Sequence, residues 1–276
     1  MQEGDVTAKG IVLASSPQGE YGRRLTVLTD RFGKITVFAQ SAAKPKSHLL
    51  GLTRPRTCAE FLLSRGKNAW NLHGAKLIAS FAGLTADFER SCYGMYVLEL
   101  LSLFSQEGME EEEAKKLLNL TYLGLTALSD GRYRQNDAAD SGRSGTDDNQ
   151  QMPDGERKFS SGGGQVLEES GKLLSEQEAN ELIRSLFELR LLVIEGEYTE
   201  LPLHPVPDTA AALWQHAAGA RLSELFSEDL PEKIAAGTTP EAFRQSAAAF
   251  CREVRALFKR LVPYKFKSLE VLQEEG

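Results

Sequence analysis

Two stretches concentrate side chains that could grip a polyanion. Gly19-Glu20-Tyr21-Gly22 runs into Arg23-Arg24, and Ala43-Lys44-Pro45-Lys46-Ser47-His48 is followed by Arg54-Pro55-Arg56. The glycines and prolines mark turns, so these cations are expected to project from a frame, where Lys and Arg can follow phosphates without reading base identity. Lys34, Arg65 and Lys67 add positive charge in the same part of the chain. Aromatic rings that could stack on bases lie among them: Tyr21, Phe32, Phe38, Phe61 and Trp70. Phe38 and Phe61 fall in strand-like alternation and are expected in the core, whereas Tyr21 and Phe32 sit at turns and are the better stacking candidates.

Covalent chemistry finds little support. The sequence holds no GxxxxGK[ST], GxGxxG, HExxH or GxSxG, the spacings that build phosphate loops, zinc peptidase helices and nucleophile elbows. His48, His73, His204 and His216 are far apart, and none has an acid at metal-ligand spacing. Ser47 beside His48 gives poor geometry for a nucleophile and its base. Cys58, Cys92 and Cys251 are isolated, so neither a zinc pair nor a disulfide framework is indicated, and Cys92 and Cys251 read as small buried hydrophobes. No catalytic residue, metal or cofactor is expected.

Charge is divided unevenly along the 276 residues. Residues 1–80 hold 12 Lys and Arg against 5 Asp and Glu, a net +7, and the remainder holds 20 against 34, a net -14. A basic front on an acidic body points to polyanion contact by the front. The composition, 41% hydrophobic and 26% charged, is that of an ordinary globular protein and excludes collagenous and wholly disordered classes. No apolar run approaches the ~18 residues of a membrane span, and an acid-bearing start takes the place of a secretion signal, so a soluble, cytoplasmic protein is expected.

The elements that must position the cations are read from periodicity. Thr7–Ser15, Arg24–Thr29, Lys34–Ala39, Thr57–Ser64 and Ala69–Ser80 read as strands, with hairpin turns at Asp30–Gly33 and at Arg65–Asn68, where Gly66 is expected to supply a positive φ. Five strands in about 80 residues match a small barrel. Helical periodicity takes over after residue 85. Phe88, Cys92, Met95, Tyr96, Leu100 and Leu103 form one stripe; Ala114, Leu117, Leu118, Thr121, Leu125 and Leu128 form a second behind the acidic turn Glu110–Glu113. Ser175–Glu178 is a capping box, Asp208 is expected to cap an Ala-rich helix, and Thr239 followed by Pro240 starts a long last helix ending at Pro263. Residues 131–170, rich in Gly, Ser, Asp and Asn, cannot offset ordering entropy and read as a mobile insertion. The fold expected is α+β: an OB-fold barrel over 1–80, then an α-helical domain over 81–276.

These residues resemble the RecO family of bacterial repair and recombination mediators. The likeness rests on Gly10-Ile11-Val12-Leu13, Gly19-Glu20 with Arg23, Leu25-Thr26, Leu28-Thr29, Gly33-Lys34, Lys44-Pro45-Lys46-Ser47 and Leu49-Leu50-Gly51. Phe187-Glu188-Leu189-Arg190-Leu191-Leu192 and the closing Lys267-Ser268-Leu269 extend it. It implies an N-terminal OB fold, single- and double-stranded DNA as ligands, annealing of strands coated by single-strand-binding protein, and work with RecR to load RecA, at the nucleoid in the cytoplasm. Many relatives carry a zinc-binding cysteine module after the Leu-Arg-Leu-Leu helix. Here Glu195-Gly196-Glu197-Tyr198 leads to Leu201-Pro202-Leu203 without a cysteine, so zinc is not carried over.

The phosphate contacts expected are Arg23, Arg24, Lys44, Lys46, Arg54 and Arg56, with Lys34, Arg65 and Lys67 as secondary ones. The acidic, Phe-ending tail of single-strand-binding protein would need an apolar notch among cations, for which Phe258, Lys259, Arg260, Lys265, Phe266 and Lys267 are the candidates. An RNA-binding module associated with translation or ribosomes is the rival reading, because OB folds serve both polymers. A hydrolase built on Ser47 and His48 is the remotest.

Overall fold

The computed structural model describes residues 4–133, 173–197 and 201–274. Five strands, β1 (Asp5–Gln18), β2 (Gly22–Thr29), β3 (Gly33–Ala39), β4 (Cys58–Arg65) and β5 (Trp70–Ala79), close into a barrel in the order β1-β2-β3-β5-β4. All neighbours are antiparallel except β3 and β5, which run parallel where Val37 meets Trp70. β1 pairs with both β2 and β4, and a register shift between Val12 and Ala14 lets it bend to do so.

Alternation decides which side chains fill the barrel. Val12, Leu25, Val27, Ile35, Val37, Ala39, Phe61 and Leu63 point inward and pack with Trp70 and Leu72. Phe61, 1% exposed, is among the largest of them. Each such side chain contributes roughly 1.5–3 kcal/mol by leaving water. Ile11, Leu13, Leu28 and Cys58 point outward, and these join the core of the helices. Barrel and helical body therefore share apolar surface.

The hairpin at residue 33 is locked to that body. Gly33 has φ +66°, and a Cβ there would lie 2.2 Å from the Gln106 carbonyl, which accepts from Lys34 N at 3.0 Å. Gly66 departs from expectation: it is absent from the positive-φ glycines. Its requirement is steric, because its N donates to the Ala69 carbonyl and a Cβ would approach that oxygen to 2.7 Å.

After a 3-10 turn at Ala82–Thr85 come α1 (Phe88–Phe104), α2 (Glu111–Asp130), α3 (Glu176–Ile194), α4 (Asp208–Gly219), α5 (Leu230–Ile234), α6 (Pro240–Leu261) and α7 (Lys267–Glu274). Ser175 caps α3 in a capping box with Glu178, and Thr239 caps α6 with Pro240 in its first turn, as the sequence predicts. Asp208 does not cap α4; it is the first helical residue, and no side chain caps that end. The predicted α1 stripe also divides. Cys92, Tyr96 and Leu100 are buried, but Phe88, Met95 and Leu103 are exposed, because Tyr93, Val97 and Leu101 turn a second face of this largely apolar helix into the core. The predicted insertion lies outside the described residues beyond Tyr133.

The segment 264–269, which alternates basic and apolar residues in sequence, bends at Phe266 into α7. Glu99 of α1 takes the place of a cap: its carboxylate accepts from Lys267 N (3.2 Å), Ser268 N (3.3 Å) and Ser268 Oγ (2.9 Å). An anion at a helix N-terminus satisfies orphan donors and the dipole together.

Candidate nucleic-acid interface

The connection between β3 and β4 carries four of the nine predicted cations, and its shape explains the exposure of Lys44, Lys46 and Arg54. Ala42 and Leu49 are buried in the barrel core and anchor it. Between and beyond them successive turns close through Lys44 N to Ser41 O, Ser47 N to Lys44 O and Leu50 N to Ser47 O. With the apolar anchors inward, Lys44, Lys46 and His48 stand in solvent, and Arg54 is exposed further along. Ala43 N donates to Tyr21 O at 2.9 Å, which fastens this connection to the β1–β2 loop. The result is a shared surface: the Lys44 ammonium sits 5.7 Å from the centre of the Tyr21 ring, and Arg24 is exposed on the adjoining strand.

Arg24 and Phe38 are register partners on the outer face of β2 and β3. Phe38 is thus half-buried on the surface, not sealed in the core as its alternation suggests, and it lines a cleft with Tyr21 and Arg23. Arg23 has the inward parity of Leu25 but lies at the barrel's end, where its Nε is buried without a partner.

Two of the expected phosphate contacts are engaged elsewhere. The Lys34 ammonium donates to the Ser102 carbonyl of α1, and burial lowers its pKa. Arg56, held at φ +69°, donates from Nη1 to Ser91 Oγ at 3.0 Å, and burial lowers its pKa too. Both join barrel to helices. Arg65 pairs with Glu107 at 3.1 Å and covers the Trp70 ring at 4.9 Å, on the β4–β5 turn that also exposes Lys67. Such an exposed pair is weak, of order 0–1 kcal/mol, and leaves Arg65 available. Phe32, the other turn aromatic, is half-buried with its ring 4.6 Å from Trp70 and so serves packing.

The predicted apolar notch is a second feature. Phe258, Lys259, Lys265 and Phe266 line one cavity of about 430 Å³ between the end of α6 and the start of α7. Arg260 does not line it, and Lys267 faces a different groove, against Phe88, Met95 and Val271. The remaining cations come from elsewhere in the chain. Arg184 of α3 lies 4.9 Å from the Tyr96 ring and donates from Nε to Glu188 at 2.7 Å; Arg255 pairs with Glu181 at 2.9 Å. Tyr96 donates its hydroxyl to the same Glu188, whose side chain is only 1% exposed. This buried knot fixes Arg184 in the cavity wall. Helix spacing alone gives no signal that α1, α3 and α6 converge here.

Hydrolytic arrangements gain nothing from the geometry. The Ser47 hydroxyl accepts from Leu49 N at 3.2 Å and stabilises a turn. A Ser64–His73–Asp5 grouping, unseen in the sequence, places Ser64 Oγ 2.6 Å and Asp5 Oδ1 3.8 Å from the same ring nitrogen, whereas a relay needs them on opposite nitrogens. Among the described residues no group of three His, Cys, Asp or Glu could hold a metal ion, and no helix is long and apolar enough to cross a membrane.

Comparison with known proteins agrees with the barrel. Residues 1–81 match the family described as recombination protein O N terminal. Proteins named DNA repair protein RecO are similar over the front of the chain: that of Clostridium perfringens is 31% identical over 121 residues, 43% of this chain and 48% of its own length. The Acetivibrio thermocellus protein is 32% identical over 120 residues, 44% and 47% of the two chains, and the Caldicellulosiruptor bescii protein 34% over 119 residues, 43% and 49%. Each match thus spans about half the length of the relative. The first 81 residues of the chain, which form the OB-type barrel with its cation-bearing loop surface, are thus similar to the N-terminal part of DNA repair proteins named RecO.

Proposed function

We propose that the chain is a non-enzymatic recombination mediator that binds single- and double-stranded DNA, anneals complementary strands and, with RecR, helps load RecA onto strands coated by single-strand-binding protein. The observation that carries the reading is the joined surface of Tyr21, Arg24, Lys44 and Lys46, fastened by the bond between Ala43 and Tyr21 and free of ion pairs among the described residues. Arg23 and Arg54 flank it, and Arg65 and Lys67 form a second patch. Annealing needs no bond to be made by the protein. Two strands held by cations lose mutual repulsion while their base edges stay free to pair. An annealing assay with complementary strands covered by single-strand-binding protein tests this: the Lys44→Glu, Lys46→Glu variant should lose most of the acceleration. Wild-type rates in that variant would overturn the reading. Matched DNA and RNA oligomers in competition decide against the ribosomal alternative if DNA wins.

The α6–α7 cavity is the seat proposed for the acidic, Phe-ending tail of single-strand-binding protein. Its apolar floor of Phe258 and Phe266 and its rim of Arg184, Arg255, Lys259 and Lys265 suit a carboxylate beside an aromatic ring. Calorimetry with the tail peptide should show weakened binding for Lys259→Glu with Lys265→Glu, and unchanged binding for Arg260→Glu with Lys267→Glu. The reverse pattern would place the pocket elsewhere.

A further inference from the structure

The cleft between the β1–β2 loop and the end of β3 has a volume of about 420 Å³, within the ~300–1,000 Å³ of small-ligand sites. Tyr21 and Phe38 supply aromatic surface to it, and Tyr21 is 43% exposed. Around these rings stand polar groups that the protein itself leaves unused. The side-chain amides of Gln18, Gln40 and Asn71 make no hydrogen bond among the described residues, and the Arg23 Nε is buried with no partner. Glu20 adds the one carboxylate of the lining. Lys44 stands just outside, 5.7 Å from the Tyr21 ring centre.

A flat ring with donors and acceptors on its edge, attached to a phosphate chain, answers all of these features at once. Rings of any base stack on aromatics, amides bond their edges from either side, and the cations outside meet the adjoining phosphates. An extended acidic peptide would satisfy the cations but would leave the amides and aromatic faces without a matching plane. We propose that this cleft seats one unpaired nucleobase, which makes the barrel a reader of accessible bases as well as of phosphates. In a closed duplex every base is stacked and paired, so the cleft stays empty and binding falls back on the cations alone. The proposal rests on the nucleic-acid reading above and deepens it.

Fluorescence anisotropy with a single-stranded oligomer and the same oligomer carrying abasic sites in place of its bases separates the two. Wild-type protein should bind the base-bearing strand roughly tenfold more tightly, the order of one stacked base. Tyr21→Ala and Phe38→Leu should each shrink that ratio towards one while leaving the salt dependence unchanged. Lys44→Glu with Lys46→Glu should weaken both strands and keep the ratio. Because Phe38 is half-buried, Asn71→Ala serves beside it as a variant with little effect on folding, and it too should reduce the ratio. Equal affinity for the two strands in the wild type, with salt dependence intact, overturns the base seat and leaves the phosphate surface standing. A preserved ratio in all three cleft variants likewise overturns it. Failure to bind either strand at low salt overturns the nucleic-acid reading itself.

Discussion

Salt dependence separates the cations that stand in solvent from those tied into the fold. On single strands log affinity falls against log salt by about 0.7 per phosphate contact. If all nine predicted cations, Arg23, Arg24, Lys34, Lys44, Lys46, Arg54, Arg56, Arg65 and Lys67, engaged phosphate, the slope would be about -6. Lys34 and Arg56 are tied to α1, Arg23 lies in the cleft, and Arg65 and Lys67 stand on the separate patch at the β4–β5 turn. The four exposed groups of the joined surface and its connection, Arg24, Lys44, Lys46 and Arg54, give about -2.8. Between 50 and 200 mM salt the wild type should then lose about 50-fold in affinity, and the Lys44→Glu, Lys46→Glu variant only about 7-fold. Anisotropy titrations at a series of salt concentrations read both slopes. Lys34→Gln and Arg56→Gln are the discriminating controls: each should lower the unfolding midpoint and leave the slope unchanged. A slope near -6, or a slope that falls by about 0.7 in either control, would refute the assignment of these two residues to the barrel–helix junction. A flat titration would refute phosphate contact altogether.

Other consequences concern stability. Gly33→Ala should cost about 2 kcal/mol or more in a denaturant melt, because its Cβ would lie 2.2 Å from a backbone carbonyl and φ is +66°; an unchanged midpoint would contradict the junction geometry. Glu188→Ala should cost about 3–5 kcal/mol by stranding buried Arg184 and the Tyr96 hydroxyl, with Glu188→Gln less harmful because it keeps an acceptor. His216 is half-buried with Nε2 3.3 Å from the Leu225 carbonyl, and burial lowers its pKa below the ordinary 6.5. The unfolded chain therefore takes up the proton first: His216's contribution is complete above about pH 6.5 and is lost as pH falls below that towards the depressed folded pKa. Melts from pH 7.5 to 5 should show a decline that His216→Gln reduces, and an equal decline in both proteins would remove His216 as its source.

Local pattern was enough for much of the fold. Period-two alternation in Leu25, Val27, Ile35 and Val37 marks a barrel interior because opposite faces of a strand meet opposite environments, and the Ser175 and Thr239 caps are written in residues that bond their own helix. The tail beyond Pro263 was harder. Its helix is capped by Glu99, more than 160 residues earlier in the chain, which no window along the sequence can see.

Residue type likewise identified the cation-bearing loops, since turns rich in Gly and Pro leave Lys and Arg in water. Type and spacing could not say which cations remain free. Lys34 and Arg56 look the same in sequence as Lys44 and Arg54, and they differ only because α1 brings the Ser102 carbonyl and the Ser91 hydroxyl against them. The α6–α7 cavity shows the same division: its own segment supplies Phe258 and Phe266, while Arg184 arrives on another helix. Short-range sterics and burial are encoded within a few residues of where they act. The partners of a charge are chosen by packing between distant elements, and only the assembled core of barrel and helices brings them within bonding distance.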